Sequence, residues 1–218
     1  IMAEAIRRGQ MSALDAVDQA IDAAERGQSL NAVVWQDYER ARERARRVDA
    51  RPRSQRGPLA GVPTFLKDLF CEREGDPAHQ GNRYLAERDY RHSRTSAVAA
   101  RLERAGAISL GRSHAPEFGC GNCTAASETV LHGPARNPWN VSHTPMGSSG
   151  GAAVLVAAGI VPFAQASDGG GSIRMPASAC GLVGLKPGRA RVSSAPAGEG
   201  WAGGVTEGVL ARTVRAVS

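Results

Sequence analysis

The segment Gly147–Pro187, which reads GSSGGAAVLVAAGIVPFAQASDGGGSIRMPASACGLVGLKP, contains the features that decide the fold. Two glycine-rich turns carry serines, one turn at Ser148 and the other at Ser172. Glycine lacks a Cβ atom, so each turn can bend sharply or approach a ligand closely. Between the turns, Ser149–Ala158 has the pattern of a small-residue helix and Ile160–Gln165 that of a buried strand. This order predicts helices packed on a sheet.

A strand, a helix and a second strand precede this segment. They are predicted at Leu59–Leu66, Ser96–Arg104 and Ala107–Leu110. A helix that joins two strands at this spacing favours parallel pairing. Further on, Ser178–Leu185 returns the chain to the core. We therefore predict an α/β fold with a mixed, largely parallel sheet that is covered by helices on both faces.

The N-terminal residues have helical patterns. Ser12 and Asp15 form a capping-box pattern ahead of an amphipathic run that continues to about Arg26. A second, strongly charged helix is predicted at Asp37–Asp49, and a loop follows at Arg51–Pro58. We predict one domain over residues 1–218, with a helical arm at 1–55 and an α/β core at 56–218.

Composition excludes several classes of protein. The 218 residues are 42% hydrophobic and 22% charged, which is ordinary for a globular protein. No apolar run reaches the ~18–20 residues that cross a bilayer, and the N-terminus lacks the pattern of a signal peptide. The net charge of +6 is spread among acidic residues without an aromatic-interleaved basic patch. We therefore expect a cytoplasmic protein that binds neither membrane nor nucleic acid.

The cysteines do not form the pattern of a disulfide framework or a metal site. There are four in this long chain, and they include a single C-x-x-C pair without a second pair or a matching histidine motif. We expect free thiols and no metal. The residues concerned are Cys71, Cys120, Cys123 and Cys180.

The second serine turn has the layout of a catalytic loop. Asp168 is followed by Gly169, Gly170 and Gly171, and then by Ser172. Consecutive glycines allow backbone N–H groups to point toward one position beside the serine hydroxyl. Such an arrangement stabilises the negative charge of an acyl-transfer transition state, and loss of one donor costs roughly 3–4 kcal/mol.

A serine nucleophile requires a base, and no histidine here has the context of a catalytic triad. Lys67, at the end of a predicted buried strand, is the alternative, because burial lowers the pKa of a lysine. Only two of the 27 lysine and arginine residues are lysines, Lys67 and Lys186. Arginine stays protonated in proteins, whereas a buried lysine can act as a base. Ser148 could bridge Lys67 and Ser172, because a hydroxyl both accepts and donates a proton.

Four motifs in order resemble the amidase signature family. They are Gly-Val-Pro-x-x-x-Lys-Asp at Gly61–Asp68, Gly-Ser-Ser-Gly-Gly from Gly147, Asp-x-Gly-Gly-Ser-Ile-Arg-x-Pro around Ser172, and Gly-x-x-Gly-Leu-Lys-Pro at Gly181–Pro187. The resemblance covers nearly the whole chain. Within the family, the sequence most resembles bacterial amidases of the 6-aminohexanoate-cyclic-dimer hydrolase type.

The resemblance implies the amidase signature fold and a cofactor-free hydrolase that acts on small linear or cyclic amides. It assigns Ser172 as nucleophile, Ser148 as a bridging serine after a cis peptide bond, and Lys67 as base. The oxyanion hole would use the backbone N–H groups from Gly169 to Ser172. Residues that would support the catalytic groups are Ser149, Asp168 and Arg174. Residues that would contact the substrate are Phe118, Gly119, Cys120 and Met146.

The chain departs from the family pattern in three respects, one of which is Gly-Arg-Ser-His at 111–114 in place of the common Gly-Lys-x-Asn. Met146 stands where a glycine is usual, and family members are longer, so we expect this chain to be the N-terminal portion of the domain. Lys186 is interpreted as structural.

Three alternatives and the oligomeric state stay open. The chain could be a glutamine-dependent amidotransferase subunit, a catalytically incomplete amidase fragment, or a non-catalytic nucleotide-binding module. The glycine turn at Gly147 lacks the lysine of a phosphate-binding loop, which disfavours the nucleotide-binding module. A homodimer is one assembly that the sequence leaves open.

Overall fold

The computed structural model of this chain describes residues 2–120 and 128–217. Within these residues the helices, α1 to α8 in chain order, are Met2–Arg8, Ala13–Arg26, Tyr38–Asp49, Arg83–Glu87, Ala97–Ala105, Gly150–Ala157, Arg174–Ala179 and Val214–Val217. The strands, β1 to β8, are Val33–Gln36, Pro63–Lys67, Ile108–Ser113, Glu128–Thr129, Gly133–Pro134, Phe163–Asp168, Val183–Leu185 and Thr206–Ala211. None of the described helices is long and apolar enough to cross a membrane.

Helix α2 begins at the capping box that the sequence predicts. Ser12 Oγ accepts a hydrogen bond from the Asp15 N–H at 2.9 Å, and Asp15 Oδ2 accepts one from the Ser12 N–H at 3.2 Å. These bonds satisfy backbone N–H groups that have no partner within the helix. The Asp49 carboxylate, at the end of α3, accepts from the N–H groups of Ala13 and Leu14 at 2.8 and 3.0 Å. The two N-terminal helices are thereby joined.

Strands β1, β3 and β2 form one sheet in that order. β2 and β3 pair in parallel and α5 lies between them in sequence, which confirms the predicted strand–helix–strand unit. β1 pairs antiparallel with β3, with Val33 opposite Ser113. Strand β1 was not predicted from the sequence, because four residues between two helical patterns are too few for a periodicity.

A second sheet has the order β6-β8-β7, and β6 lies beside β2. Thr64 Oγ1 donates to the Phe163 carbonyl at 3.0 Å, and the Lys67 N–H donates to Gln165 Oε1 at 2.9 Å. The contact further along β2 is also the one further along β6, so the two strands run parallel. Their carboxyl ends therefore meet at one edge, where Lys67 and Asp168 are the last strand residues.

The predicted α/β class and the mixed sheet are confirmed. Within the described ranges, the β2–β3 ladder is parallel, whereas the other backbone ladders are antiparallel. The parallel share of the backbone pairing is thus smaller than the sequence predicts. The difference arises largely from β1 and β8, which were not predicted and which pair antiparallel with β3, β6 and β7.

Helices cover β2 on both faces, as predicted. Phe65 is buried in the main core with residues of α2 and α6, whereas Leu66 packs in a separate cluster with Ala99 of α5. Successive side chains of a strand point to opposite faces, so the two clusters lie on opposite sides of the sheet. The division into a helical arm at 1–55 and a core at 56–218 stays a prediction.

Helix α6 lies within the main core, and its residues from Gly150 to Val156 are buried. A Cβ atom at Gly151 would lie 2.4 Å from the backbone nitrogen of His114 and 2.7 Å from the Ala32 carbonyl oxygen. Because Gly151 has no side chain, α6 can pack against two backbone segments, the one that follows β3 and the one that precedes β1.

We expect Gly151→Ala to lower the free energy of unfolding by about 2–3 kcal/mol, because the added methyl group overlaps backbone atoms of His114 and Ala32, which must shift to admit it. Urea denaturation measures this change. The matched control is Gly188→Ala, where a Cβ atom would meet nothing within 4 Å. Equal stabilities of the two variants would contradict the close packing of α6.

Candidate active site

Lys67 is fully buried at the end of β2. Its Nζ donates hydrogen bonds to Ser148 Oγ at 2.7 Å and to Ser167 Oγ at 3.0 Å. Burial lowers the pKa of the Lys67 ammonium to about 7, and the negative charges of Asp168 and Glu207 oppose this shift. A large fraction of Lys67 is therefore the neutral amine near pH 7, the form that accepts a proton.

Ser148 stands at the turn before α6, and the peptide bond that joins it to Gly147 is cis. The resemblance to the amidase signature family implies this geometry for the bridging serine. Met146 precedes the turn with a φ of 61°, in the left-handed region that favours glycine. The backbone conformation thus explains why a glycine is usual at this position of the motif.

Ser172 is half-buried in the turn that follows β6. Its carbonyl accepts a hydrogen bond from the Ser149 N–H at 3.2 Å, which joins the two serine turns. Within the described part of the chain, Ser172 Oγ makes no hydrogen bond, so the structure brings Lys67 to Ser148 but does not form the second link of the relay. Catalytic hydrogen bonds often tighten only when substrate binds.

The Asp168 carboxylate organises the nucleophile turn from inside. It accepts hydrogen bonds from the backbone N–H groups of Gly171, Ile173 and Arg174 at 2.8, 3.0 and 3.3 Å, and from the Arg174 guanidinium at 3.0 Å. Although burial favours the neutral acid, these bonds hold the pKa of Asp168 well below its ordinary value. Asp168 and Arg174 thus form an ion pair across the base of the turn.

One N–H group of the predicted oxyanion hole already has a hydrogen-bond partner within the turn. The Gly171 N–H donates to Asp168 Oδ1 at 2.8 Å, so it points into the turn rather than toward a substrate. Among the described residues, the N–H groups of Gly169 and Gly170 have no such partner. The sequence shows three adjacent glycines but does not show which N–H group an acidic side chain takes. The candidate donors are therefore Gly169, Gly170 and Ser172.

The predicted substrate-contact residues are only partly brought to the site. A Cβ atom at Gly119 would lie 3.5 Å from Ser148 Oγ, so this glycine adjoins the relay, and Met146 precedes the Ser148 turn. Phe118 and Cys120 are exposed, and the described contacts do not join them to the relay. Their role in substrate binding stays a prediction. Cys123 lies outside the described residues.

Three residues near Lys67 were not predicted from the sequence. Ser167 Oγ accepts from Lys67 Nζ, and Gln165 Oε1 accepts from the Lys67 N–H. Gln165 Nε2 donates at 2.9 Å to Glu207, a buried residue of β8 whose pKa is raised by burial to about 7. Gln165 and Ser167 lie on one face of β6 and alternate with the apolar residues of its other face, a pattern that could have identified them.

The described cysteines, Cys71, Cys120 and Cys180, are free. No group of three or more histidine, cysteine, aspartate or glutamate side chains within 2–120 and 128–217 is placed to hold a metal ion. The polar side chains that converge at the carboxyl ends of β2 and β6 include those of Lys67, Ser148, Ser167 and Asp168.

Residues 15–218 match the family model described as Amidase. The chain therefore belongs to the amidase family, which confirms the resemblance that the four motifs indicate.

Relatives of this chain carry the names of different enzymes. The chain is 36% identical over 220 residues to the 6-aminohexanoate-cyclic-dimer hydrolase of Paenarthrobacter ureafaciens, covering 99% of this chain and 43% of that protein. It is 41% identical over 191 residues to the A subunit of the glutamyl-tRNA(Gln) amidotransferase of Prochlorococcus marinus, covering 86% of this chain and 38% of that protein. The chain thus spans less than half the length of these curated relatives.

A solved structure of 6-aminohexanoate cyclic dimer hydrolase complexed with substrate is similar to this chain, with a TM-score of 0.90 and 34% sequence identity. The similarity covers 99% of this chain and 44% of that one.

Proposed function

We propose that this chain carries the catalytic serine machinery of an amide hydrolase. The observation that supports the proposal best is the 2.7 Å contact between the buried Lys67 Nζ and Ser148 Oγ, beside the glycine turn of Ser172. A buried amine with a pKa of about 7 is a competent base at neutral pH, and an adjoining hydroxyl can pass a proton onward. A cofactor is not needed for this chemistry.

In the proposed reaction, neutral Lys67 takes the hydroxyl proton of Ser148 as Ser148 takes that of Ser172. Ser172 Oγ forms a bond to the amide carbonyl carbon, and the carbonyl oxygen becomes an oxyanion that the backbone N–H groups of Gly169, Gly170 and Ser172 stabilise. The proton returns through Ser148 to the leaving nitrogen, the C–N bond breaks, and an acyl-enzyme remains. Water then attacks the ester carbonyl with the same relay as base, which releases the acid and restores Ser172.

We propose small linear or cyclic carboxamides as the substrate class. The similarity to 6-aminohexanoate-cyclic-dimer hydrolase, named for a cyclic amide, supports this choice. Incubation with the cyclic dimer and with linear oligomers of 6-aminohexanoate, followed by mass spectrometry of the products, tests it. We further propose that the protein is bacterial and cytoplasmic and that it acts without binding nucleic acid or a membrane. We propose a homodimer as its assembly, which light scattering tests.

A glutamine-dependent amidotransferase subunit is the second candidate function. The 41% identity to the A subunit of a glutamyl-tRNA(Gln) amidotransferase supports it, because the serine chemistry would be the same and only the amide differs. Glutaminase activity that requires a partner protein would favour this candidate. Hydrolysis of small amides without any partner would favour the first.

A fluorophosphonate probe tests the serine chemistry of this chain directly. Ser172 Oγ forms a bond to phosphorus, fluoride leaves, and the hydroxyl proton passes through Ser148 to Lys67. We expect mass spectrometry of the labelled 218-residue chain to place the phosphonyl group on Ser172. A folded chain that is labelled at no serine would overturn the proposal and favour a catalytically incomplete fragment.

The rate of this labelling is expected to rise with pH through about 7 and to level off above it. Neutral Lys67 accepts the proton, and burial places the loss of its charge near pH 7. Below the midpoint, the rate should fall about tenfold per pH unit. Spontaneous hydrolysis of the probe, measured with the Ser172→Ala variant, is the control. A rate that is constant across this range would show that no group with such a pKa limits the reaction.

A further inference from the structure

The second lysine of the chain lies under the nucleophile turn. Lys186 Nζ donates hydrogen bonds to the carbonyl oxygens of Asp168, Gly169 and Gly204 at 2.9, 2.8 and 2.6 Å. An ammonium group has three donors, so these bonds use all of them. Nζ also lies 3.3 Å from Asp168 Oδ1. A side chain that the sequence assigns to a structural turn is thus bound to the backbone of the catalytic loop.

The orientation of two peptide groups follows from these bonds. The Asp168 carbonyl shares a planar trans peptide with the Gly169 N–H, and the Gly169 carbonyl shares one with the Gly170 N–H. In a trans peptide the C=O and the N–H point in opposite directions. Because Lys186 Nζ holds both carbonyls, both N–H groups must point away from Nζ. Both belong to the N–H groups of the turn that the Asp168 carboxylate does not take.

The surroundings of the turn fit this arrangement. A Cβ atom at Gly170 would meet nothing within 4 Å, so the turn is open there, whereas one at Gly169 would lie 2.8 Å from the Trp201 ring. Gly204, the third residue that Lys186 binds, belongs to the same loop as Trp201. Lys186 therefore fixes the nucleophile turn to the loop that packs against it.

We propose that Lys186 is the positioning residue of the oxyanion hole, which holds the Gly169 and Gly170 N–H groups toward the developing oxyanion. The inference rests on the proposed amide-hydrolase function. Arginine does not replace this lysine readily, because a planar fork of donors does not match three carbonyl oxygens arranged around a single nitrogen. In a chain with only two lysines, one then serves as the base and the other shapes the oxyanion hole.

The test compares Lys186→Met and Lys186→Arg with the wild-type chain in fluorophosphonate labelling. Met removes all three donors, and we expect the maximal labelling rate to fall by about 10²–10³-fold while the probe concentration at half-maximal rate stays within about threefold. Lys186→Arg keeps the positive charge beside Asp168. We expect its maximal labelling rate to exceed that of Lys186→Met by less than about tenfold, and the midpoint of its pH–rate profile to equal that of the wild-type chain. Full recovery in Lys186→Arg, or a wild-type rate in Lys186→Met, would overturn the inference.

Two controls separate this inference from the proposed function. Arg101→Met, which removes an exposed cation on α5, should label at the wild-type rate. Absence of Ser172 labelling in the wild-type chain would overturn the proposed function instead. A crystal structure of Lys186→Met, or of Lys186→Gln should Met prevent folding, reads the orientation of the two peptides without any chemistry. Rotation of either peptide supports the inference, and unchanged orientation of both overturns it.

Discussion

Lys67→Met is expected to lower the rate at which the fluorophosphonate probe labels Ser172 by at least about 10³-fold. Methionine is of similar length and is apolar, so it fills the buried site without a charge, but it has no lone pair with the basicity of an amine. Ser148 Oγ then loses the partner that lies 2.7 Å away, and no other described base contacts Ser148. The residual rate would no longer rise through pH 7.

Lys67→Arg is the matched variant for this prediction. Arginine restores a positive charge and hydrogen-bond donors, but it does not release a proton at neutral pH. We therefore expect it to be as inactive as Lys67→Met, provided that circular dichroism shows a folded chain. Labelling of Lys67→Arg at a rate close to the wild type would mean that Lys67 supplies charge or structure rather than a base.

Ser172→Ala is expected to abolish labelling, because it removes the oxygen that forms the bond to phosphorus. Ser148→Ala keeps that oxygen but interrupts the relay, and we expect a loss of about 10²–10⁴-fold. Mass spectrometry of each labelled variant measures both the extent and the position of labelling. The difference between the two variants distinguishes the nucleophile from the bridging residue.

Ser149→Ala is the control beside these two serines. Ser149 Oγ donates to the Ser167 carbonyl at 3.2 Å and does not contact Lys67, so its loss should reduce labelling by less than about tenfold. Labelling on Ser148 or Ser149 in the wild-type chain, or persistent labelling of Ser172→Ala, would contradict the assignment of Ser172 as nucleophile.

The sequence predicts the parts of the site that depend on residue type. Glycine turns identify Ser148 and Ser172, and the scarcity of lysine singles out Lys67, although 81 residues separate Lys67 from Ser148. The α/β class and the helix starts at Ser12 and Ser96 follow from short-range patterns that the structure reproduces. Residue chemistry and short-range periodicity are therefore enough to predict these features.

The parts that the sequence did not predict depend on contacts between distant segments. Strand β1 pairs with β3, about 75 residues further along the chain, and four residues alone do not show that partner. The Gly171 N–H is taken by Asp168, and the carbonyls of Asp168 and Gly169 are held by Lys186, because the folded turn brings these groups together. Three glycines indicate that the backbone is free to adopt many conformations, whereas the contacts determine the orientation of each peptide group.

The pKa of Lys67 is the most direct test of the central claim that a neutral lysine acts as the base. Because the chain has only two lysines, labelling with [ε-¹³C]lysine gives two side-chain NMR signals, and the Lys186→Met variant assigns them. We predict that the Lys67 signal titrates with a midpoint near pH 7, because burial lowers the pKa of this ammonium group. A Lys67 signal that stays protonated up to its ordinary pKa of about 10.4 would contradict the account.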